Sequence, residues 1–141
     1  MDNLDLARAC AEAMWADDPA SQHLGMTLDS VEPGRAVLTM EITPKMVNGH
    51  GIAHGGYIFA LADSAFAFAC NTYDQRTVGH QASITYLAPA RAGDRLTATA
   101  TERARQTRSG LYDVTVTNQT GTHIAEFRGH SRTVKGRLLG D

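Results

Sequence analysis

A glycine pair and one carboxylate, Gly55-Gly56 and Asp63, sit in an apolar stretch that runs from His54 to Asn71. Alanine, leucine and phenylalanine dominate its other positions, which predicts a helix buried on most of its circumference. Asp63 is the charged residue of that stretch, and a charge among apolar neighbours is costly unless it is paired or used. If used, it is a nucleophile or a general base, since an aspartate is ionised near neutrality and apolar surroundings raise its basicity. If paired, it is a carboxylate satisfied by a backbone or side-chain donor, and residue types alone do not choose between these readings. Glycines at a helix start let another group approach the backbone, whose free N–H groups carry the positive end of the helix dipole. A carbonyl oxygen held there would be polarised, and an oxyanion formed from it stabilised. Gly55 or Gly56 is therefore a candidate donor, although a glycine pair taken alone more often serves close packing.

Spacing adds a constraint. Asp63 lies eight residues after Gly55, which at 1.5 Å of rise per residue is about 12 Å along one helix. The two are then too far apart to act on one carbonyl carbon. If they cooperate, Gly55 of one chain must meet Asp63 of another, which makes a two-fold dimer the active unit. His54 orients the helix start, hydrogen-bonds a substrate, or serves simply as the helix cap. Asn48, which precedes Gly49, either positions water or an acyl carbonyl or serves as a turn residue. His50 and His54 have the four-residue spacing of a metal pair, but Gly51 between them argues for a loop, and no cysteine or acidic cluster completes a site. No metal is expected. The chain has no Gly-x-Ser-x-Gly elbow, P-loop or dinucleotide fingerprint.

The elements that must hold these residues follow from periodicity. Leu4, Ala7, Ala11, Met14 and Trp15 predict an amphipathic helix within an N-terminal helical segment, residues 1–20, stopped by Asp17-Asp18-Pro19. Strand-like runs at Leu24 to Glu32 and Arg35 to Ile42, separated by Pro33-Gly34, predict a hairpin. Residues 43–53 read as a loop that delivers the chain to the central helix, 54–71. Beyond it the pattern turns to period two, and runs at 78–87, 96–104, 111–118 and 123–134 predict a four-stranded meander. The fold class is α+β, with antiparallel strands curved around one apolar helix. The 141 residues form one domain, 1–141, long enough for a sizeable core.

Composition excludes several classes. An apolar content of 43%, a charged content of 20% and a net charge of -2 give no basic face for nucleic acid. Asp63 interrupts the longest apolar run, so no membrane span is expected. The polar, acidic start lacks the features of a signal peptide, and Cys10 and Cys70 read as reduced thiols, so the expected location is the cytoplasm.

Asn48, His54-Gly55-Gly56 and Asp63 together resemble the hotdog-fold acyl-CoA thioesterases, and within them the phenylacetic-acid-degradation (PaaI) type. The resemblance continues through Leu61 to Asn71, Leu87 to Asp94, Gly110 to Asp113 and Phe127 to Gly129, and so spans nearly the whole chain. It implies the hotdog fold, homodimers that form the active sites and pair into homotetramers, and hydrolysis of acyl-CoA esters, with phenylacetyl- and hydroxyphenylacetyl-CoA foremost. It implies that the Gly55 N–H polarises the thioester carbonyl while Asp63 of the partner attacks it or activates water, with Asn48 and His54 positioning acyl group and water. Gly56, Ser64, Gln81, Pro89, Arg91, Thr107, Arg108 and Ser109 are the implied substrate- and CoA-binding residues, Arg91 and Arg108 being either phosphate contacts or solvated turn arginines. Phe59, Phe66 and Phe68 are pocket candidates that also suit the core. No cofactor is implied, because coenzyme A is part of the substrate. The alternatives are a hydratase or dehydratase on the same fold and a non-catalytic acyl-CoA-binding protein.

Overall fold

A computed structural model describes residues 1–140. Helix α1 (Asn3–Ala16) opens on Asp2, whose carboxylate accepts the Asp5 N–H at 2.7 Å, and ends at Asp17. The stretch that follows departs from expectation. Pro19, which suits a first helical turn because its missing N–H is not needed there, starts a short helix α2 (Pro19–His23) capped by the Asp18 carboxylate. Strand β1 (Thr27–Glu32) therefore begins three residues later than its apolar run. It pairs with β2 (Arg35–Glu41) across the Pro33-Gly34 turn, where Gly34 takes a positive φ of 72°. Ala36, Leu38, Met40 and Ile42 all face inward and are fully buried.

The remaining strands are β3 (Thr77–Tyr86), β4 (Arg95–Arg105), β5 (Ser109–Thr117) and β6 (His123–Thr133). All six form one antiparallel sheet in the order β1-β2-β4-β5-β6-β3. The four-stranded meander is thus corrected to three, β4-β5-β6, with β3 carried across to the outer edge beside β6. Period-two alternation assigns faces within a strand but says nothing about its neighbours. Strand β3 is exposed at nearly every residue on both faces, unlike β4 and β5, whose alternate side chains are buried.

Helix α3 (Gly55–Cys70) lies in the curve of this sheet. Ile58, Leu61, Ala62, Ala65, Phe66, Phe68 and Ala69 meet Leu38, Leu96, Ala98, Ala100, Val114 and Phe127 in a single core. The sheet is thinned where the largest helix side chain arrives. A Cβ on Gly79 or Gly129 would stand 2.8 Å from the Phe66 ring, so glycine at both strands is what lets the helix settle. Phe66 and Phe68 are core residues, and half-buried Phe59 meets Phe127 edge-on at 5.3 Å. The helix is buried on much of its circumference, and one stripe, Gly56, Ala60, Asp63 and Ala67, is not buried by the single chain.

The far end of α3 is closed by polar bonds. Asn71 donates through Nδ2 to the Ala67 and Thr77 carbonyls and accepts the Thr77 N–H, each at 2.9 Å. Asp74, at a left-handed φ of 58°, accepts the Leu138 and Leu139 N–H groups and the Arg137 guanidinium, and so ties down the C-terminal segment. Among the described residues no helix is long and apolar enough to cross a membrane.

Candidate active site

The start of α3 is built by its approach loop. The His54 N–H donates to the Met46 carbonyl at 2.7 Å and the Ala53 N–H to the Ala90 carbonyl at 2.8 Å, which fixes where the helix begins. His54 caps it: its Nδ1 accepts the Gly56 N–H at 2.9 Å. That leaves the Gly55 N–H, which has no acceptor among the described residues. Gly56 is therefore spent on the cap, and Gly55 is the donor that remains free at the positive end of the helix. Asn48 organises the loop, its Oδ1 accepting the His50 N–H at 2.9 Å and the Ile52 N–H at 3.4 Å.

Asp63 is not satisfied from within its chain. Its carboxylate accepts no hydrogen bond and meets no cation among the described residues, and it is exposed on the open stripe of α3. Open at its tip, it is still hemmed in by helix and sheet, and that desolvation raises its pKa above the usual aspartate value. Seven residues on, burial pushes the Cys70 thiol up to about 12, so that cysteine is an inert packing residue.

The other sequence-predicted residues divide. Ser64 is engaged with the core scaffold, its hydroxyl 2.8 Å from that of Ser21, which in turn donates to Asp18 at 2.7 Å; this chain of bonds holds α2 on α3. Pro89 and Arg91 lie in the turn after β3, beside the Ala90 carbonyl that anchors the start of α3. The Arg91 N–H donates to Asp94 at 2.9 Å, leaving its guanidinium in solvent. Thr107, Arg108 and Ser109 are exposed in the β4–β5 hairpin at the opposite end, where the Arg108 carbonyl accepts the Thr133 N–H and Ser109 shares a small cavity with Cys70. Gln81 is exposed partway along β3. The two arginines thus stand near opposite ends of a sixteen-residue helix, about 24 Å long. One chain does not bring them together. Among the described residues no three of His, Cys, Asp and Glu cluster as a metal site requires.

One neighbour of the site lay outside the sequence reading. Tyr86, the last residue of β3, donates its hydroxyl to the Gly55 carbonyl at 2.9 Å. The contact spans 31 residues, and the sequence offers only the strand-end position of Tyr86 as a signal.

The sequence profile of the thioesterase superfamily matches residues 50–125. The acyl-coenzyme A thioesterase PaaI of Escherichia coli is 42% identical over 131 residues, covering 93% of this chain and 94% of the relative. The solved structure of the E. coli PaaI protein from the phenylacetic acid degradation operon superposes with a TM-score of 0.95 at 40% identity, over 96% of this chain and 99% of that one. A Streptococcus mutans protein solved bound to acetyl CoA gives a TM-score of 0.77 at 31% identity, over 80% of this chain and 91% of that one.

Proposed function

This chain belongs to the thioesterase superfamily, has the hotdog fold and is an acyl-CoA thioesterase; we propose that it hydrolyses aryl-acetyl-CoA esters, phenylacetyl- and hydroxyphenylacetyl-CoA foremost, at sites shared between two subunits. One observation carries the site. Asp63 has no partner within its own chain, and it lies on the helix whose first N–H, that of Gly55, is equally uncommitted. Each group lacks what a second copy could bring.

In this reading the thioester oxygen accepts the Gly55 N–H at the positive end of α3. That donor stabilises the charge that grows on the oxygen as the carbonyl carbon becomes tetrahedral. Asp63 of the partner subunit, made more basic by desolvation, attacks the carbon directly or takes a proton from the water that does. Collapse of the intermediate expels the CoA thiolate, which gains a proton; after direct attack water then cleaves the acyl–Asp63 anhydride, so on either route the net change is ester plus water to free acid plus CoA thiol. His54 sets the helix start, and the amide of Asn48 faces the water or acyl group. Two antiparallel copies of α3 would also bring Arg91 of one subunit toward Arg108 of the other, so that one CoA could meet both turns. Strand β3, exposed on both faces at the sheet edge, suits the pairing surface, and two such dimers form the tetramer. The aryl-acetyl preference is supported by the likeness to the E. coli protein of the phenylacetic acid degradation operon.

A thiol-release screen over phenylacetyl-, hydroxyphenylacetyl-, benzoyl- and aliphatic CoA esters tests the substrate class. Aryl-acetyl esters are expected to give the highest kcat/KM, and an aliphatic preference would overturn that assignment. Asp63→Asn is expected to lower kcat by about 10³-fold with its fold and its binding of CoA intact; near-parental turnover would end the role given to Asp63. Single turnover in heavy-oxygen water separates the two roles, because a covalent anhydride leaves label in the protein.

A further inference from the structure

The Gly55–Gly56 peptide is gripped from both sides. Its N–H, that of Gly56, donates to Nδ1 of His54 at 2.9 Å, and its carbonyl, that of Gly55, accepts the Tyr86 hydroxyl at 2.9 Å. Two hydrogen bonds on opposite edges of one planar unit fix its rotation about the chain. The neighbouring peptide, which carries the Gly55 N–H, has its own carbonyl, that of His54, held by the Tyr57 N–H at 3.0 Å, and it joins the gripped unit through the Cα of a glycine, the residue with the widest φ and ψ freedom.

We propose that Tyr86 is a positioning residue for the reaction: by pinning the Gly55 carbonyl it aims the Gly55 N–H at the thioester oxygen. The inference rests on the reading of Gly55 as the carbonyl-polarising donor. Three observations support it. The tyrosine ring leaves no room for a side chain at position 55, where a Cβ would stand 2.8 Å from Cζ and 2.9 Å from the hydroxyl oxygen. Glycine there is matched to this tyrosine. The φ of Gly55 is not in the left-handed region, so backbone conformation does not demand glycine; the close approach of Tyr86 does. Finally, Tyr86 is 49% exposed in the single chain, so the ring is not held in place as part of the core.

The bond also joins two parts of the molecule that otherwise meet elsewhere. Tyr86 ends β3, the edge strand, while Gly55 begins α3. A shift of the strand end would therefore reach the donor directly. Helix N-termini are intrinsically loose because their first N–H groups have no intrahelical acceptor, and a donor that swings loses the preorganisation on which its effect depends.

The test is Tyr86→Phe, which keeps the ring and removes only the hydroxyl, compared with Tyr86→Ala. If the hydroxyl aims the donor, Tyr86→Phe lowers kcat about tenfold with KM for the CoA ester within twofold of the parent. The amide resonances of Gly55 and Gly56 shift in the proton–nitrogen spectrum, and the melting temperature stays the same. If the ring merely packs, Tyr86→Phe restores parental kcat and only Tyr86→Ala is impaired, which overturns the proposal. Asp63→Asn run alongside keeps the two claims apart. An inactive Asp63→Asn with a parental Tyr86→Phe sinks the tyrosine alone, whereas an active Asp63→Asn sinks the site on which it rests.

Discussion

The two ends of α3 treat their polar groups in opposite ways. Just past the C-terminal end the side chains of Asn71, Thr72 and Asp74 are all bonded. Asn71 bridges the helix to β3, Thr72 donates to the Ala69 carbonyl and accepts the Gly34 N–H, and Asp74 takes three donors from residues 137–139. At the other end, and along the stripe that leads from it, the Gly55 N–H and the Asp63 carboxylate have no partners among the described residues. The two aspartates record the contrast. Burial pushes Asp74 up, but the Leu139 N–H, the Arg137 guanidinium and the Leu138 N–H outweigh it and hold that carboxyl below the usual range. Desolvation pushes Asp63 up with nothing to oppose it. One end is closed by its own chain; the other keeps groups open that the proposed site would use.

Substitutions at each end should therefore separate activity from stability. The largest effect after loss of Asp63 itself is expected from Gly55→Ala. Its methyl would strike the Tyr86 ring, and displacing the donor by about an ångström costs on the order of 10²-fold in kcat. The fold should tolerate it, because the clash is with one half-exposed ring at the helix start and not with the core. Circular dichroism and thermal melting matching the parent, with kcat reduced, would support the contrast; an unfolded variant would show that the N-terminal end is structural after all.

Acid should act on the two ends differently. In the proposed mechanism Asp63 acts in its ionised form, so kcat/KM is expected to fall about tenfold per pH unit below its raised pKa, with a midpoint above the usual aspartate value. Stability runs the other way for this group. Between its ordinary and its raised pKa the folded chain holds more protons than the unfolded chain, so stability falls as pH rises through that window. Asp63→Asn lifts that penalty, and its melting temperature near neutrality should equal or exceed the parent's. Asp74 has the reverse sign. Its contribution is present above the ordinary aspartate value and is lost only as pH falls through its depressed one.

The smallest effect is expected at the closed end. Asp74→Asn keeps a residue that tolerates the left-handed region but surrenders the charge that holds Arg137. A loss of about 1 kcal/mol by denaturant titration, with unchanged kcat, is the expected outcome. A variant that lost turnover without losing stability would erase the distinction between the ends.

Much of this was legible in the sequence because it depends on local periodicity. The alternation of Ala36, Leu38, Met40 and Ile42 gave the inward face of β2, and the run of Ala, Leu and Phe around Asp63 gave the central helix. The helical rise alone separated Gly55 from Asp63 along the helix. What failed was non-local. Residues 78–87 alternate as a strand should, but alternation cannot reveal that β3 lies at the sheet edge, open on both sides. Nor could the sequence show that the turns carrying Arg91 and Arg108, read as phosphate contacts or as solvated turn arginines, fall near opposite ends of α3.

The sequence by itself determined which residue types could do chemistry and how far apart one helix must hold them, because both follow from composition and a fixed rise per residue. Tertiary structure decided which groups remain unpartnered. Asp63 is left open, the Gly56 N–H is consumed by His54, and Gly55 lies under the ring of Tyr86, which arrives from 31 residues away. Hydrogen bonds and steric contacts between distant segments exist only once the sheet has folded around the helix, and their geometry is written in no local pattern.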